Sequence, residues 1–463
     1  MNEFTVRGKR VVVVGGAGSG VAAARLLVDR GARVTLTDLR SVLEHQDALS
    51  KIGVALALGS HPVELFTGAD LVVVSPGVAA TQPSVAAARA AGVPVVGEVE
   101  LASRWLRGRI VAITGTKGKS TTTALTGRIL AAAGFHAPVG GNIGTPLAAQ
   151  VAESRPESIH VVEVSSFQLE TTDTFHPWVA VLLNLTADHL DRHASVEEYA
   201  GAKARIFSRQ TDGDCAVANA DDPRSLAMAR GGRARVVCFA RDVRIDEGIT
   251  LADGWIVERG ARGDRRLVRT SEVRLIGVHL LSDVLAAAAV ARLAGASPAA
   301  IAEAVASFTG LEHAMEWVDE IGGVRFVNDS KATNIDAARQ AIETFEPGLV
   351  VIMGGRFKGG DLRLLRPSLA SRRATVVAIG EAAPLMEEAF AGAAVFAHAH
   401  TLAEAVRTAM AAATPGASVL LAPACASFDM FENYAARGRA FKAEVARLRH
   451  EEAPSGGSAR KTA

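Results

Sequence analysis

The chain has 463 residues, which suits about three domains. Hydrophobic residues make up 49% and charged residues 21%, as in a soluble globular protein with a substantial core. A formal net charge of +1 and only 5% aromatic residues speak against a nucleic-acid-binding surface and against base-stacking platforms.

RVVVVGG (10–16) predicts a buried strand running into a glycine turn. VAAARLLVDRG (21–31) is the helix behind it, and RVTLTDL (33–39) is the next strand. DLVVVSPGV (70–78) and VPVVGEVE (93–100) repeat the strand-then-turn pattern. Unbroken valine runs suit parallel strands covered on both faces, so the first domain reads as doubly wound α/β. A second unit opens near Gly108 with RIVAITG. Its further strands are HVVEVSSF (160–167), VAVLLNLT (179–186), CAVANADDP (215–223) and RVVCFA (235–240). The segment 241–276 is charged, glycine-containing and alternating, which predicts a short β excursion. A third unit begins near Gly310, with strands VRFVND (324–329), LVVIMGG (349–355), TVVAIG (375–380) and SVLLAPA (418–424). The tail EEAPSGGSARKTA is small and polar, the composition of a disordered segment. The expected division is 1–105, 106–309, 310–452 and a flexible tail 453–463.

Cys215, Cys238 and Cys425 are far apart and odd in number, which argues against a disulfide framework or a thiolate zinc site and for a reducing cytoplasm. The N-terminal apolar run imitates a secretory signal, but glycines break it and it continues into a helical pattern. No uncharged apolar run is long enough to span a membrane.

The stretch VAITGTKGKSTTT (111–123) carries the sharpest chemical signal. Glycines between a strand and a helix let backbone amides approach phosphate oxygens, and the helix N-terminus adds a positive dipole. Lys119 can reach outer phosphates and Ser120 can ligate Mg²⁺. Ile113 stands where the common phosphate-loop spacing has its first glycine. Gly15 to Gly20 form a dinucleotide-type turn with Ala17 in place of the second glycine, and Asp38 ends the following strand. That turn alone allows an NAD-dependent oxidoreductase, a reading that the nucleotide loop in the same chain weakens.

Glu163 ends a buried strand, and Asp188, His189, Asp191 and His193 follow a neighbouring one, so carboxylate and imidazole can meet at the sheet edge beside the loop. Mg²⁺ prefers oxygen ligands, which favours Glu163, with Asp191 and His193 as solvated loop residues. Helix statistics alone make Lys203 a solvated side chain. In the third unit Asp329, Lys331, Lys358 and Ser427 follow strands, and cations with hydroxyls at strand ends suit a small anionic substrate.

Taken in order, the glycine turn 15–20, SPGV (75–78), GTKGKSTTT, GGNIG (140–144), EVSSFQLE, NLTADHLDRH, AKARIF, NADDP (219–223), GLEH, NDSKATN and PACASFDMFENYAARG resemble the Mur ligase family over nearly the whole chain. SSFQLE, NDSKATN and ACASFDMF point to its glutamate-adding branch. The resemblance implies three α/β domains: a Rossmann-like N-terminal domain for a UDP-linked substrate, a phosphate-loop ATPase, and a Rossmann-like C-terminal domain for the incoming amino acid. It implies ATP-dependent ligation of D-glutamate to UDP-MurNAc-L-Ala through an acyl phosphate, by a cytoplasmic monomer with no nucleic-acid or membrane partner.

The resemblance also assigns residues. Gly115, Thr116, Lys117, Gly118, Lys119, Ser120, Thr121, Asp283, Asp329 and Lys331 match ATP-side positions. Ser120 and Glu163 match the ligands of one Mg²⁺ and His189 a ligand of a second, with Lys203 at the position the family carbamylates with CO₂. Lys119, Glu163, His189 and Lys203 are the implied catalytic set. Gly18, Ser19, Asp38, Leu39, Arg40, Gly77, Asn142, Ser165 and His189 match positions near the nucleotide-sugar. Thr333, Lys358, Ser427, Phe428 and Tyr434 match positions that hold D-glutamate.

Four positions depart from the family pattern. Ala314 replaces the arginine of GLxHR, Leu280 and Asp283 alter HNxxN, and Phe357 stands where an aspartate is common. These departures leave open a homologue that binds the nucleotide-sugar without efficient ATP use, beside a ligase adding another amino acid.

Overall fold

The computed structural model describes residues 4–79, 81–186, 192–193, 195–261, 263–275, 277 and 280–452. They divide into two compact units, the first holding two β-sheets and the second holding one.

The first sheet contains β1 (Arg10–Val14), β2 (Arg33–Asp38), β3 (Ala55–Leu58), β4 (Leu71–Val74) and β5 (Val95–Gly97), all parallel, in the order β3-β2-β1-β4-β5. Strand geometry sends alternate valines of β1 to opposite faces. Val11 and Val13 pack with Leu27 and Leu36, while Val12 and Val14 pack with Phe66, Val72 and Val85. A run that is apolar at every position therefore fits a strand with helices on both sides. The order reverses beside β1, which places the glycine turn after it at a crevice of the doubly wound type.

The second sheet contains β6 (Arg109–Thr114), β7 (Val139–Gly141), β8 (Ile159–Glu163), β9 (Val179–Leu182), β10 (Cys215–Asn219), β11 (Arg235–Ala240), β12 (Gly248–Ala252), β13 (Trp255–Arg259) and β14 (Arg265–Arg269). Its order is β14-β13-β12-β11-β10-β9-β6-β8-β7. The pairings from β7 to β12 are parallel, and β12 to β14 form an antiparallel meander, the predicted excursion. Because β6 lies between β8 and β9, the loops after these three strands open side by side at one sheet edge.

Two buried glutamates of the helix Glu98–Ser103 join the first two sheets. Glu98 accepts the Ala148 amide at 2.6 Å. Glu100 accepts the amides of Asp173, Thr174 and Phe175, the Thr174 hydroxyl and the Arg104 guanidinium.

The second unit is built on β15 (Glu316–Ile321), β16 (Val324–Asn328), β17 (Val350–Gly354), β18 (Thr375–Ile379), β19 (Val395–His398) and β20 (Ser418–Leu421), in the order β15-β16-β20-β17-β18-β19. Only the β15–β16 pair is antiparallel. Val351 and Met353 of β17 enter one core layer, and Val350 and Ile352 the other. The three cysteines are free. No helix among the described residues is long and apolar enough to cross a membrane.

Candidate active site

Gly118 turns the phosphate loop into its helix. Its φ of +83° is a left-handed conformation that glycine adopts without strain, and it caps the helix Lys119–Ala132. A side chain there would also collide with Asp283, whose Oδ1 lies 2.1 Å from where a Cβ would stand.

The loop is pinned from β9's side by Asn184. Its Oδ1 accepts the amides of Thr116 at 3.1 Å and Lys117 at 2.9 Å, and its Nδ2 donates to the Lys117 carbonyl. Thr116 adds a hydroxyl bond to the Thr186 carbonyl and a contact with the Tyr199 hydroxyl. Asn219 and Asp222 of NADDP brace the same segment: Asn219 donates to the Leu183 carbonyl, and Asp222 accepts the Leu185 amide. Asp222 also caps the helix Pro223–Arg230, so this motif shapes the loop's neighbour.

Inside that frame the predicted polar residues meet. Ser120 Oγ donates to Glu163 Oε2 at 2.7 Å, and Asn142 Nδ2 donates to Glu163 Oε1 at 2.8 Å. Glu163 is 1% exposed. Lys119 folds back over its own loop and donates to the carbonyls of Gly115 and Thr116, at 3.0 and 2.8 Å. Lys203 reaches the Gly115 carbonyl at 2.8 Å and the Thr114 hydroxyl at 3.3 Å, lying 4.7 Å from the centre of the Tyr199 ring. It is 1% exposed, which overturns the solvated reading of this lysine from helix statistics.

His193 is corrected in the same way. It is buried, stacks on Phe167 at 5.3 Å, and meets the Ser166 hydroxyl through Nε2 at 3.0 Å. Asp188, His189 and Asp191 lie outside the described residues. Asp283 is buried, its Oδ2 has no hydrogen-bond partner among the described residues, and burial pushes its carboxyl up to about 8 against the lowering effect of the Thr122 hydroxyl. Thr121 is half-buried on the first helical turn.

At the glycine turn of the first sheet, Gly20 comes so close to Gly15 that a Cβ would fall 1.8 Å from the Gly15 carbonyl oxygen. Asp38 accepts the Gly16 amide at 2.7 Å and makes two side-chain bonds with Arg40, at 2.9 and 2.8 Å. The Arg40 hydrogen bond outweighs burial and holds the Asp38 carboxyl well below the usual range. Leu39 is exposed beside them, Gly18 and Ser19 open the helix Gly18–Asp29, and Gly77 is exposed after β4. The Ser165 hydroxyl, in contrast, is engaged in a capping box with Gln168.

In the second unit, Lys358 Nζ donates to Thr333 Oγ1 at 3.3 Å. Ser427 is buried, while Phe428 and Tyr434 are 65% and 41% exposed. Asp329 is buried and accepts the Met315 amide, and burial pushes its carboxyl up to about 6. Lys331 is exposed, and its amide donates to the His313 carbonyl. Ala314 lies between His313 and Met315, both with positive φ.

Sequence reasoning had passed over Asn184, Asn219, Asp222 and Arg437 as working residues. All four stand inside motifs already singled out, and for Asn184, Asn219 and Asp222 a polar residue at or just past the end of a buried strand is the available signal.

Three family models match the chain: the Mur ligase MurD-like N-terminal domain over 9–97, the Mur ligase middle domain over 113–291, and the Mur ligase glutamate ligase domain over 313–425. A UDP-N-acetylmuramoylalanine–D-glutamate ligase from Acidobacterium capsulatum is 48% identical over 442 residues, covering 94% of this chain and 96% of that one. The enzyme of the same description from Solibacter usitatus is 46% identical, covering 94% and 97%. Among solved structures, UDP-N-acetylmuramate-alanine ligase from Thermotoga maritima matches with a TM-score of 0.55 at 19% identity, over 96% of this chain and all of that one, a likeness of fold.

Proposed function

The chain belongs to the Mur ligase family, and from that premise we propose that it joins D-glutamate to UDP-N-acetylmuramoyl-L-alanine with ATP, in peptidoglycan precursor synthesis. In this reading the alanyl carboxylate takes the terminal phosphoryl group of ATP. The amine of D-glutamate then displaces phosphate to form the amide, releasing ADP and phosphate.

The observation that carries the reading is the group around the phosphate loop. Ser120 and Glu163 stand 2.7 Å apart at the start of the loop's helix, an oxygen pair of the kind Mg²⁺ takes. Held by these two residues, a magnesium ion would neutralise phosphate charge. Gly118 to Thr121 open a helix N-terminus to phosphates while Asn184 holds the Thr116 and Lys117 amides, and Lys119, which folds onto its own loop carbonyls, would turn toward the outer phosphate. A second cation would draw on His189 and on Lys203 as a carbamate. The buried amine of Lys203 suits that modification, because a carbamate exchanges a cation beside Lys119 for an anionic oxygen ligand.

The remaining assignments follow the same reading. Asp283, Asp329 and Lys331 serve the ATP side. Gly18, Ser19, Asp38, Leu39, Arg40, Gly77, Asn142 and Ser165 serve the nucleotide-sugar. Asn142 is tied to Glu163 and Ser165 to its helix cap, so both act in the positioning of β8's end. Thr333, Lys358, Ser427, Phe428 and Tyr434 serve D-glutamate. The domains divide at 106 and 310, and the enzyme works as a cytoplasmic monomer.

Phosphate release from ATP and Mg²⁺ tests the reading. It should require both UDP-MurNAc-L-Ala and D-glutamate. Binding of the nucleotide-sugar without any release would instead favour a homologue disabled at Ala314, Leu280 and Asp283.

A further inference from the structure

Arg437 is 1% exposed, and its guanidinium hydrogen-bonds to neutral oxygens. Nε donates to Ser330 Oγ at 3.0 Å, and Nη2 to the Ser330 carbonyl at 3.0 Å. Nη1 and Nη2 each donate to the Cys425 carbonyl at 3.2 Å, and Nη1 also reaches the Gly354 carbonyl at 3.4 Å. Burial pulls this group down to about 10, against the attraction of Cys425 and Asp429.

The three acceptor sites lie on three different loops. Ser330 follows β16 and precedes Thr333. Gly354 ends β17 and precedes Lys358. Cys425 follows β20 and precedes Ser427. Arg437 itself rides on the helix Tyr434–Glu452, three residues after Tyr434. Ser330 closes the set, since its hydroxyl accepts from Arg437 and donates to the Tyr434 carbonyl at 2.8 Å.

Two glycines let these parts approach. A Cβ on Gly355 would fall 2.2 Å from the Ala426 carbonyl oxygen and 3.2 Å from Arg437 Nη1. A Cβ on Gly438 would fall 2.3 Å from His313 Nδ1. The backbone is thus drawn in around one planar fork.

We propose that Arg437 is a positioning residue for the incoming amino acid: its guanidinium holds the loops of Thr333, Lys358 and Ser427 in register with Tyr434. The inference rests on reading those four residues as D-glutamate contacts. Burying a cation is costly, and an apolar side chain would fill the same space more cheaply if packing were the only requirement. A rigid fork of five donors can satisfy carbonyls on three loops at once, which a lysine ammonium cannot. Lys358 and Thr333 then stand 3.3 Å apart on two of those loops, an ammonium and a hydroxyl of the kind a carboxylate takes.

The test compares Arg437→Met and Arg437→Lys with the native enzyme. Steady-state phosphate release gives kcat and KM for D-glutamate and for ATP, and calorimetry gives Kd for UDP-MurNAc-L-Ala. Arg437→Met should lose about 100-fold in kcat/KM for D-glutamate, mainly through KM, while the other two ligands bind as before. Arg437→Lys, which keeps the charge but not the fork, should recover only part. A folded Arg437→Met enzyme with native KM for D-glutamate would overturn the proposal, as would equal weakening of all three ligands. Amide exchange supplies an answer independent of turnover. Residues 330–334, 354–358 and 425–428 should exchange faster together in Arg437→Met, and native protection in all three would overturn the proposal. If the native enzyme itself shows no D-glutamate-dependent release, the ligase reading fails, and exchange alone then judges Arg437.

Discussion

Lys119 and Lys203 donate to the same oxygen, the carbonyl of Gly115, at 3.0 and 2.8 Å. If this site gathers phosphates and a divalent cation as proposed, two ammonium groups on one acceptor is a poor arrangement, because the second ammonium would repel the metal. Conversion of Lys203 to a carbamate removes the like charge and supplies an oxygen ligand. Lys203→Ala should therefore lower turnover by at least about 100-fold, the scale of losing one preorganised charge in a buried site. Bicarbonate or a short-chain carboxylic acid, diffusing into the space left by the side chain, should restore part of it. Full activity of the untreated variant would end the carbamate reading.

Glu163 is held from both sides, by Ser120 on one oxygen and Asn142 on the other. Glu163→Gln preserves the shape but removes the negative charge that a cation needs. Phosphate release measured against Mg²⁺ concentration should fall about 100-fold or more in this variant, with the curve moved to higher magnesium. Ser120→Ala should move the curve in the same direction by less, since a hydroxyl is a weaker ligand than a carboxylate. An unchanged magnesium curve in Glu163→Gln would remove this residue from the metal site.

Much of this organisation was written in the valine runs. Val11 to Val14 and Val350 to Val351 alternate between two core layers, and such strands announce themselves because every position is apolar. The strands that escaped sequence reading were β3, β7, β15 and β19, and each lies at a sheet edge. Edge strands have one neighbour and less cover, so they need fewer apolar residues: β3 and β19 contain no fully buried position. The polar frame was legible in part. Motif spacing identified Lys119, Ser120 and Glu163, but burial of Lys203 and His193 follows from partners distant in the chain, Gly115 for the lysine and Phe167 for the histidine, which no local pattern reports. Arg437 was hidden for the same reason, since its partners are 12, 83 and 107 residues away.

Glu100 tests how the first two sheets are joined. Burial raises its carboxyl, but the Thr174 hydroxyl, the Asp173 amide and Arg104 outweigh it and leave the group below its ordinary range. A lowered folded value gives stability above the unfolded glutamate value near about 4.3, and that stability is lost as pH falls through the folded value. Glu100→Gln leaves Arg104 and three backbone amides with a neutral, half-matched partner, at a cost of about 3 kcal/mol near neutral pH. Urea unfolding at pH 7 should show that loss, and the gap between variant and native protein should narrow below about pH 4. A gap independent of pH would mean that packing, not charge, holds the junction.

Asp283 touches the phosphate loop at its tightest point, with Oδ1 2.1 Å from the position a Gly118 Cβ would take. Its carboxyl is pushed up to about 8 by burial, so the folded protein keeps a proton that the unfolded chain releases near about pH 4. The sign follows: below about pH 4 both states are protonated and there is no penalty, between about 4 and 8 stability falls as pH rises, and above 8 the penalty is constant. Asp283→Asn restores the amide found in the family pattern and removes the titration. The variant should match the native unfolding free energy near pH 4 and exceed it increasingly up to pH 8, by on the order of a few kcal/mol at the upper end. ATP binding should tighten with it, because the loop no longer has a carboxyl ionising beside it as pH rises. Gly118→Ala should do the opposite, combining about 1–2 kcal/mol of left-handed backbone strain with a collision against Asp283. Parallel pH–stability curves for Asp283→Asn and the native protein would show that this carboxyl is ionised in the fold, and that the departure from the family pattern leaves the loop undisturbed.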